Sequence, residues 1–254
     1  MSAPVAPPSG TGASVPSPMV ALRAEYRLLL RNVATRGRLG AIGSLAAISV
    51  LTAVAVAAAG PDAPLRAASA YVNANLSTLV PVAVLVFGAG AIGDLVDDGS
   101  LVYLWLRPVP TWVHVVAACA ATITITVPLV LGPVLVAAAL IDPSVEVLGS
   151  TALAGLVAVV TYACLFVMGG IRFRRALPWG LVYILIWEGF IASAGKTATK
   201  LAIRSYVRSI LSNGTGISMK LAEFTTRSSI LVCLVVSIVS ILYASRRLAR
   251  TDVP

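Results

Sequence analysis

The sequence predicts an all-α polytopic membrane protein, and three observations carry that expectation. Of 254 residues, 58% are hydrophobic and only 11% are charged. That is under half of the roughly 25% charged share of soluble domains. Mean hydropathy is +0.94. Apolar runs of about 18 residues or more, the length that crosses a hydrocarbon core, recur along the chain, and six are counted. A single membrane domain then accounts for residues 19–250.

The formal charge of +9 comes from 19 basic residues, 16 of them Arg. They sit at the ends of the apolar runs, where they set topology and meet lipid headgroups. This placement argues against nucleic acid as a partner. Arg over Lys in an Ala- and Val-rich chain is a composition associated with high-GC bacterial genomes. The cysteines, Cys119, Cys164 and Cys233, all fall inside apolar spans and read as small packing residues. No Cys/His spacing suggests a metal.

Residues 1–18 are rich in Pro, Ser, Gly and Ala, cannot build a core, and are expected to be a disordered cytoplasmic tail without a cleaved signal. Residues 19–38 have helical periodicity. Leu22, Tyr26, Leu29 and Val33 share one face, while Arg23, Arg27 and Arg31 repeat on a neighbouring one. This predicts a basic amphipathic helix lying along the cytoplasmic membrane surface.

The first span is expected at about 39–59, closed by the turn "GPDAP". The second, about 76–93, starts as early as Tyr71 in a longer reading and ends in "GAGAIG", a small-residue face suited to close helix packing. In the third, about 113–140, Pro128 and Pro133 should kink the helix or break its backbone bonding. The fourth is about 147–170, the fifth about 176–195 and the sixth about 228–245.

The positive-inside rule puts both termini in the cytoplasm. In that orientation 12 basic residues are inside and seven outside, six of the seven within 196–227. In that segment Lys196, Lys200, Arg204 and Arg208 recur every four residues. The spacing predicts one slanted basic stripe on a helix over 196–211. Leu201, Val207, Ile210 and Leu211 supply apolar contacts, "SNGTG" turns, and 217–227 returns. The expectation is an outer-face helical hairpin, partly re-entrant and not spanning. It caps the path and touches lipid phosphates, or lines it for anionic cargo.

Candidate chemistry is sparse. "GFIASAGKT" has five residues between Gly189 and Gly195, one too many for a phosphate-cradling loop. It reads as the end of a membrane helix with a snorkelling Lys. The one histidine, His114, stands at a helix start and reads as a satisfied or interfacial residue. It excludes a zinc-protease His pair. The aspartates flank the spans, and no serine has an evident base, so no catalytic site is expected. Asn75-Leu-Ser and Asn213-Gly-Thr match glycosylation acceptors and carry no weight in a bacterial chain. Glu188 stands inside the fifth span, where a carboxylate is costly. It either pairs with Lys196 or another base, or titrates in a translocation path.

Between the second and third spans lies "GDLVDDGSLVYLWLRPVPTW", Gly93 to Trp112. An acidic cluster, Asp94, Asp97 and Asp98, precedes Gly99 and Ser100. An apolar run containing Trp105 leads to Arg107-Pro108-Val109-Pro110. Asp97 or Ser100 suits the cap of a short helix, which the prolines end. This segment resembles the cytoplasmic signature of type-2 ABC exporter permeases. That signature is an acidic cluster, Gly-Thr-Leu, an apolar run, then Arg-Pro-Val and a basic residue. Leu95 stands where an acid is common, and Thr111 where a base is common. The span count, the N-terminal helix and the long segment before the last span agree with the same family.

The resemblance implies a permease subunit of a bacterial plasma-membrane exporter. A coupling helix built on Asp94, Asp97, Asp98, Gly99, Ser100, Trp105, Arg107 and Pro108 would dock on a separate ATPase. Cofactors of this chain are none; ATP and Mg belong to that partner. A second permease copy, or a related permease, completes the path, with Glu188, Lys200, Arg204 and Arg208 as candidate path or gate residues. The alternative is an ATP-independent carrier, proton-coupled through Glu188, or a non-transporting membrane subunit. Its three-span halves show no evident repeat of the kind such carriers carry.

Overall fold

A computed structural model describes residues 18–97, 110–191 and 196–250. These residues form helices joined by short connections, with no strand among them. In chain order the helices are α1 (Pro18–Val33), α2 (Arg36–Ala58), α3 (Pro64–Ser77) and α4 (Leu79–Asp97). Then come α5 (Thr111–Thr126), α6 (Gly132–Ile141), α7 (Val145–Arg172) and α8 (Ala176–Val182). The series ends with α9 (Lys196–Thr199), α10 (Ile203–Thr215) and α11 (Thr226–Ala249).

Five stretches are long and apolar enough to cross a membrane: Arg36–Ala58, Pro64–Asp94, Thr111–Ile141, Val145–Arg172 and Thr226–Ala249. The protein is thus an all-helical membrane-embedded bundle. Its perimeter is apolar, as a lipid-facing surface requires. Leu45, Ile48 and Leu51 of α2 and Leu231, Leu234, Ile238 and Leu242 of α11 are exposed along single helix faces. Inside the bundle, the hydroxyls of Thr122, Thr126, Thr161 and Ser209 donate to carbonyls one turn back, so they cost little in an apolar interior.

The central helix is α7, against which α4, α10 and α11 pack. Its seam with α4 is made by small residues. A Cβ on Gly170 would sit 2.5 Å from the Ala89 carbonyl oxygen, and one on Gly93 would sit 3.4 Å from Gly170 Cα. Gly88 faces the Phe166 Cβ at 3.3 Å on the same terms. The "GAGAIG" face therefore does what its composition predicts. The prolines of the third span act as expected too. A π-helical turn at Val127–Leu131 contains Pro128, and Gly132 N–H reaches back to the Val127 carbonyl. The helix widens in the stretch where Pro128 and Pro133 lack N–H donors.

Four expectations are corrected. The second span starts at Pro64, not near 76, because Pro64 initiates α3 directly after the turn. The polar residues of α3 hide it from hydropathy, and Ser69 and Asn75 are buried against protein. The helix expected over 19–38 begins at Pro18 and stops at Val33. Thr35 then caps α2, accepting from Arg38 N–H, so Arg36 and Arg38 belong to the first span.

The fifth expected span, 176–195, is a shorter apolar helix, Ala176–Glu188. It has seven α-helical residues followed by a six-residue π-turn, Tyr183–Glu188. At about 1.5 Å per residue it is too short to cross a core of about 30 Å alone.

Lastly, the outer hairpin is not a pair of helices. The helix over 196–211 breaks at 200–202, α10 runs through Asn213 and Gly214 to Thr215, and Gly216 ends it at φ 69°. Residues 216–225 hold no helix, and Leu221 adopts a positive φ of 70°. Thr225 then caps α11 by accepting from Ser228 N–H.

The glycine seam gives a direct test. Gly170→Val should lower stability by about 1–3 kcal/mol by forcing α4 and α7 apart. Gly169→Ala, where a Cβ meets nothing within 4 Å, should be neutral. Unfolding midpoints of the two purified variants in detergent decide it; equal midpoints would remove the seam from the argument.

Candidate functional site

Polar side chains concentrate at four places in this apolar bundle. The first is the end of α4. Arg38 Nη2 donates to Asp94 Oδ2 at 2.6 Å, joining α2 to α4. The guanidinium lies across Gly90, where a Cβ would be 2.5 Å from Arg38 Nη1. Glycine there opens the space for Arg38 one helical turn before Asp94. Of the predicted coupling residues, Asp97 ends α4. Asp98, Gly99, Ser100, Trp105, Arg107 and Pro108 lie outside the described residues.

The second place is Glu188, the last residue of the π-turn, with 1% of its surface exposed. The Tyr162 hydroxyl donates to Oε2, and the Tyr183 hydroxyl donates to Oε1 at 2.9 Å. The start of α10 lies beside it, and the Arg204 charge acts on it. One carboxyl group thus joins α7 to the π-turn and faces the start of α10. A helix N-terminus is a favourable place for a carboxylate. Among the described residues two tyrosine hydroxyls hold this carboxyl, and the charge of one base, Arg204, acts on it. Lys196's side chain lies outside what is described.

The third place is the basic segment. The break at 200–202 prevents the single stripe, separating Lys200 from Arg204 and Arg208, which remain one turn apart on α10. Lys200 is exposed, Arg204 is half-buried, and Arg208 is 9% exposed. Arg208 Nε donates to Asn73 Oδ1 of α3 at 2.8 Å, and Nη1 donates to the Lys220 carbonyl at 2.9 Å. Val207, Ile210 and Leu211 are buried as expected, whereas Leu201 is exposed.

The fourth place escaped the sequence reading. Glu25 on α1 is 1% exposed and lies 3.5 Å from Nδ1 of the equally buried His114 on α5. The signal was present: Ala21, Glu25, Leu29 and Val33 recur every four residues, and all are buried. The arginines Arg23, Arg27 and Arg31 are exposed as predicted. The buried face of α1, however, is centred on this acid rather than on Leu22 and Tyr26, which are half-buried. Tyr26 adds a hydrogen bond to Thr124 Oγ1 at 3.1 Å.

The cysteines are free and buried. An apolar cavity of about 220 Å³ lies between α4, α7 and α8, lined by Leu85, Phe166, Trp179 and Tyr183 among others. In comparisons with known proteins, the chain matches no family model and no curated protein.

The Glu188 cluster should behave as a structural acceptor. Glu188→Ala leaves the buried Tyr162 hydroxyl without its partner and should cost about 1–3 kcal/mol. Glu188→Gln keeps an acceptor and should cost less. Unfolding midpoints that fail to rank Ala below Gln would contradict this arrangement.

Proposed function

We propose that the chain is the permease subunit of a bacterial ABC exporter, coupled through its 94–112 segment to a separate ATPase. The observation that carries this reading is the signature in the connection from α4 to α5: Asp94, Asp97 and Asp98, then Gly99-Ser100-Leu101, then Arg107-Pro108-Val109. The connection joins two of the long apolar stretches. The seam between α4 and α7 supports it mechanically. A displacement at the end of α4 is carried by a backbone-to-backbone contact into the centre of the bundle.

On this reading both termini are cytoplasmic and α1 lies at the inner leaflet with its arginines toward lipid phosphates. The chain then has to cross between the end of α7 and the start of α11. Ala176–Glu188 and α10, each about 20 Å long, supply that crossing in series. Their irregular join is acceptable at membrane depth where protein covers it. A second permease copy or a related permease packs against the apolar outer faces and completes the path. ATP and Mg act on the ATPase, whose closure pulls on the 98–109 connection. This chain performs no chemistry itself.

A second reading, a proton-coupled carrier, is favoured by the burial of Glu188. Transport that persists without any ATPase and is abolished by Glu188→Gln would select it.

Two outcomes test the exporter reading. The purified chain should hydrolyse no ATP alone and should co-purify with an ATPase bearing a true P-loop; ATP hydrolysis by the chain, lost on Lys196→Ala, would contradict it. Single cysteines placed across 97–107 should cross-link to that ATPase. Replacing Asp97 and Asp98 together should uncouple transport while membrane insertion stays intact. Failure of every position to cross-link would sink the docking surface.

A further inference from the structure

We propose that the polar cavity between α3 and the end of α10, lined by Arg66, Asn73, Arg208 and Lys220, binds a phosphate group. That group is either free phosphate or the phosphate of a lipid headgroup.

The cavity measures about 750 Å³. Its walls are one face of α3 (Arg66, Ala70, Asn73), Arg208 of α10, and the non-helical stretch Gly216 to Lys220. Three cations line it, and no carboxylate does among the described residues. Nor does any described carboxylate pair with Arg208. Burying an unpaired cation is costly unless something neutralises it.

Arg208 is also held ready. Asn73 and the Lys220 carbonyl each take one N–H of a guanidinium that has five. The remaining three stay available in a fork that matches two phosphate oxygens. Arg66 and Lys220 are exposed, and they complete a site with a fixed cation at its base and two mobile ones at its rim. The volume exceeds what phosphate alone needs and leaves room for the rest of a larger phosphate-bearing molecule. The cavity opens at the end of the bundle where α2 turns into α3. Gly214 approaches Ser150 near the start of α7 at that same end. That is where a spanning protein meets headgroups, and the proposal stands whether or not the chain is an exporter subunit.

The test uses the full chain in a maltoside detergent and a buffer that contain no phosphate. In one arm, inorganic phosphate is titrated against chloride at constant ionic strength. In the other, phosphatidylglycerol is titrated into the micelles. The unfolding midpoint is followed in both. A saturable rise is expected, with apparent affinity about tenfold weaker in Arg66→Gln and in Lys220→Gln, each losing one charge-assisted contact. These exposed residues leave the fold in place. Arg227→Gln, exposed and outside the cavity, should match wild type. Saturation with inorganic phosphate assigns a free phosphate; saturation with phosphatidylglycerol alone assigns a headgroup. No saturation in either arm, or saturation that neither cavity variant weakens, overturns the proposal.

Discussion

The bundle depends on how closely the backbones of α4 and α7 approach. In lipid the hydrophobic effect does not drive helices together, so dispersion contacts and backbone proximity have to do so. Gly170 against Ala89, Gly93 against Gly170, and Gly88 against Phe166 form that contact, and no Cβ fits between the first pair. Several of the other helices are placed from α7. Helix α11 packs along it, α10 packs against it, and Tyr162 reaches from it to Glu188. Widening the seam would therefore move the only buried carboxylate of the π-turn and its partners together.

Continuous apolar runs were legible in the sequence because hydropathy reports lipid-facing surface directly. The spans around α2, α5–α6, α7 and α11 fall within a few residues of their expected places. The role of Pro128 and the small-residue face were legible because each rests on local chemistry: a missing N–H and a missing Cβ. What was not legible depended on protein covering protein. Helix α3 carries Ser69 and Asn75 inside the bundle, and α10 carries Ser205, Arg208 and Ser209. No lipid-transfer argument reveals such helices. The basic stripe failed for a related reason. A spacing of four predicts one face only while the helix is unbroken, and the chain breaks at 200–202, which separates Lys200 from Arg204 and Arg208.

Helix α10 is consequently the most heavily constrained polar element. Its N-terminus meets Glu188, and its middle carries Arg208 to Asn73 on α3. At its far end Asn213 Nδ2 donates to the Phe224 carbonyl, and Thr215 bonds back to Leu211. A buried helix with this many polar groups needs partners in protein for most of them, and on α10 Ser205 Oγ is an exception. That requirement explains why the connection after it is irregular rather than helical: residues 216–225 supply carbonyls, Lys220 and Phe224 among them, that a helix would have used internally.

On the exporter reading, the two helices that flank the 98–109 connection respond differently to a pull on it. Helix α4 is tied to α2 by Arg38–Asp94 and to α7 by the glycine seam, so it moves with the bundle centre. Helix α5 is interrupted by the π-turn at Val127–Leu131, where hydrogen bonding is weakened around Pro128. A turn of that kind bends more easily than an α-helix. On the exporter reading, force from an ATPase therefore passes inward along α4 and is taken up as bending in the α5–α6 pair. The asymmetry follows from where the sequence spends its glycines and prolines. Gly88, Gly90 and Gly93 lie on the half of α4 that makes the close contacts, and Pro128 lies in the π-turn between α5 and α6.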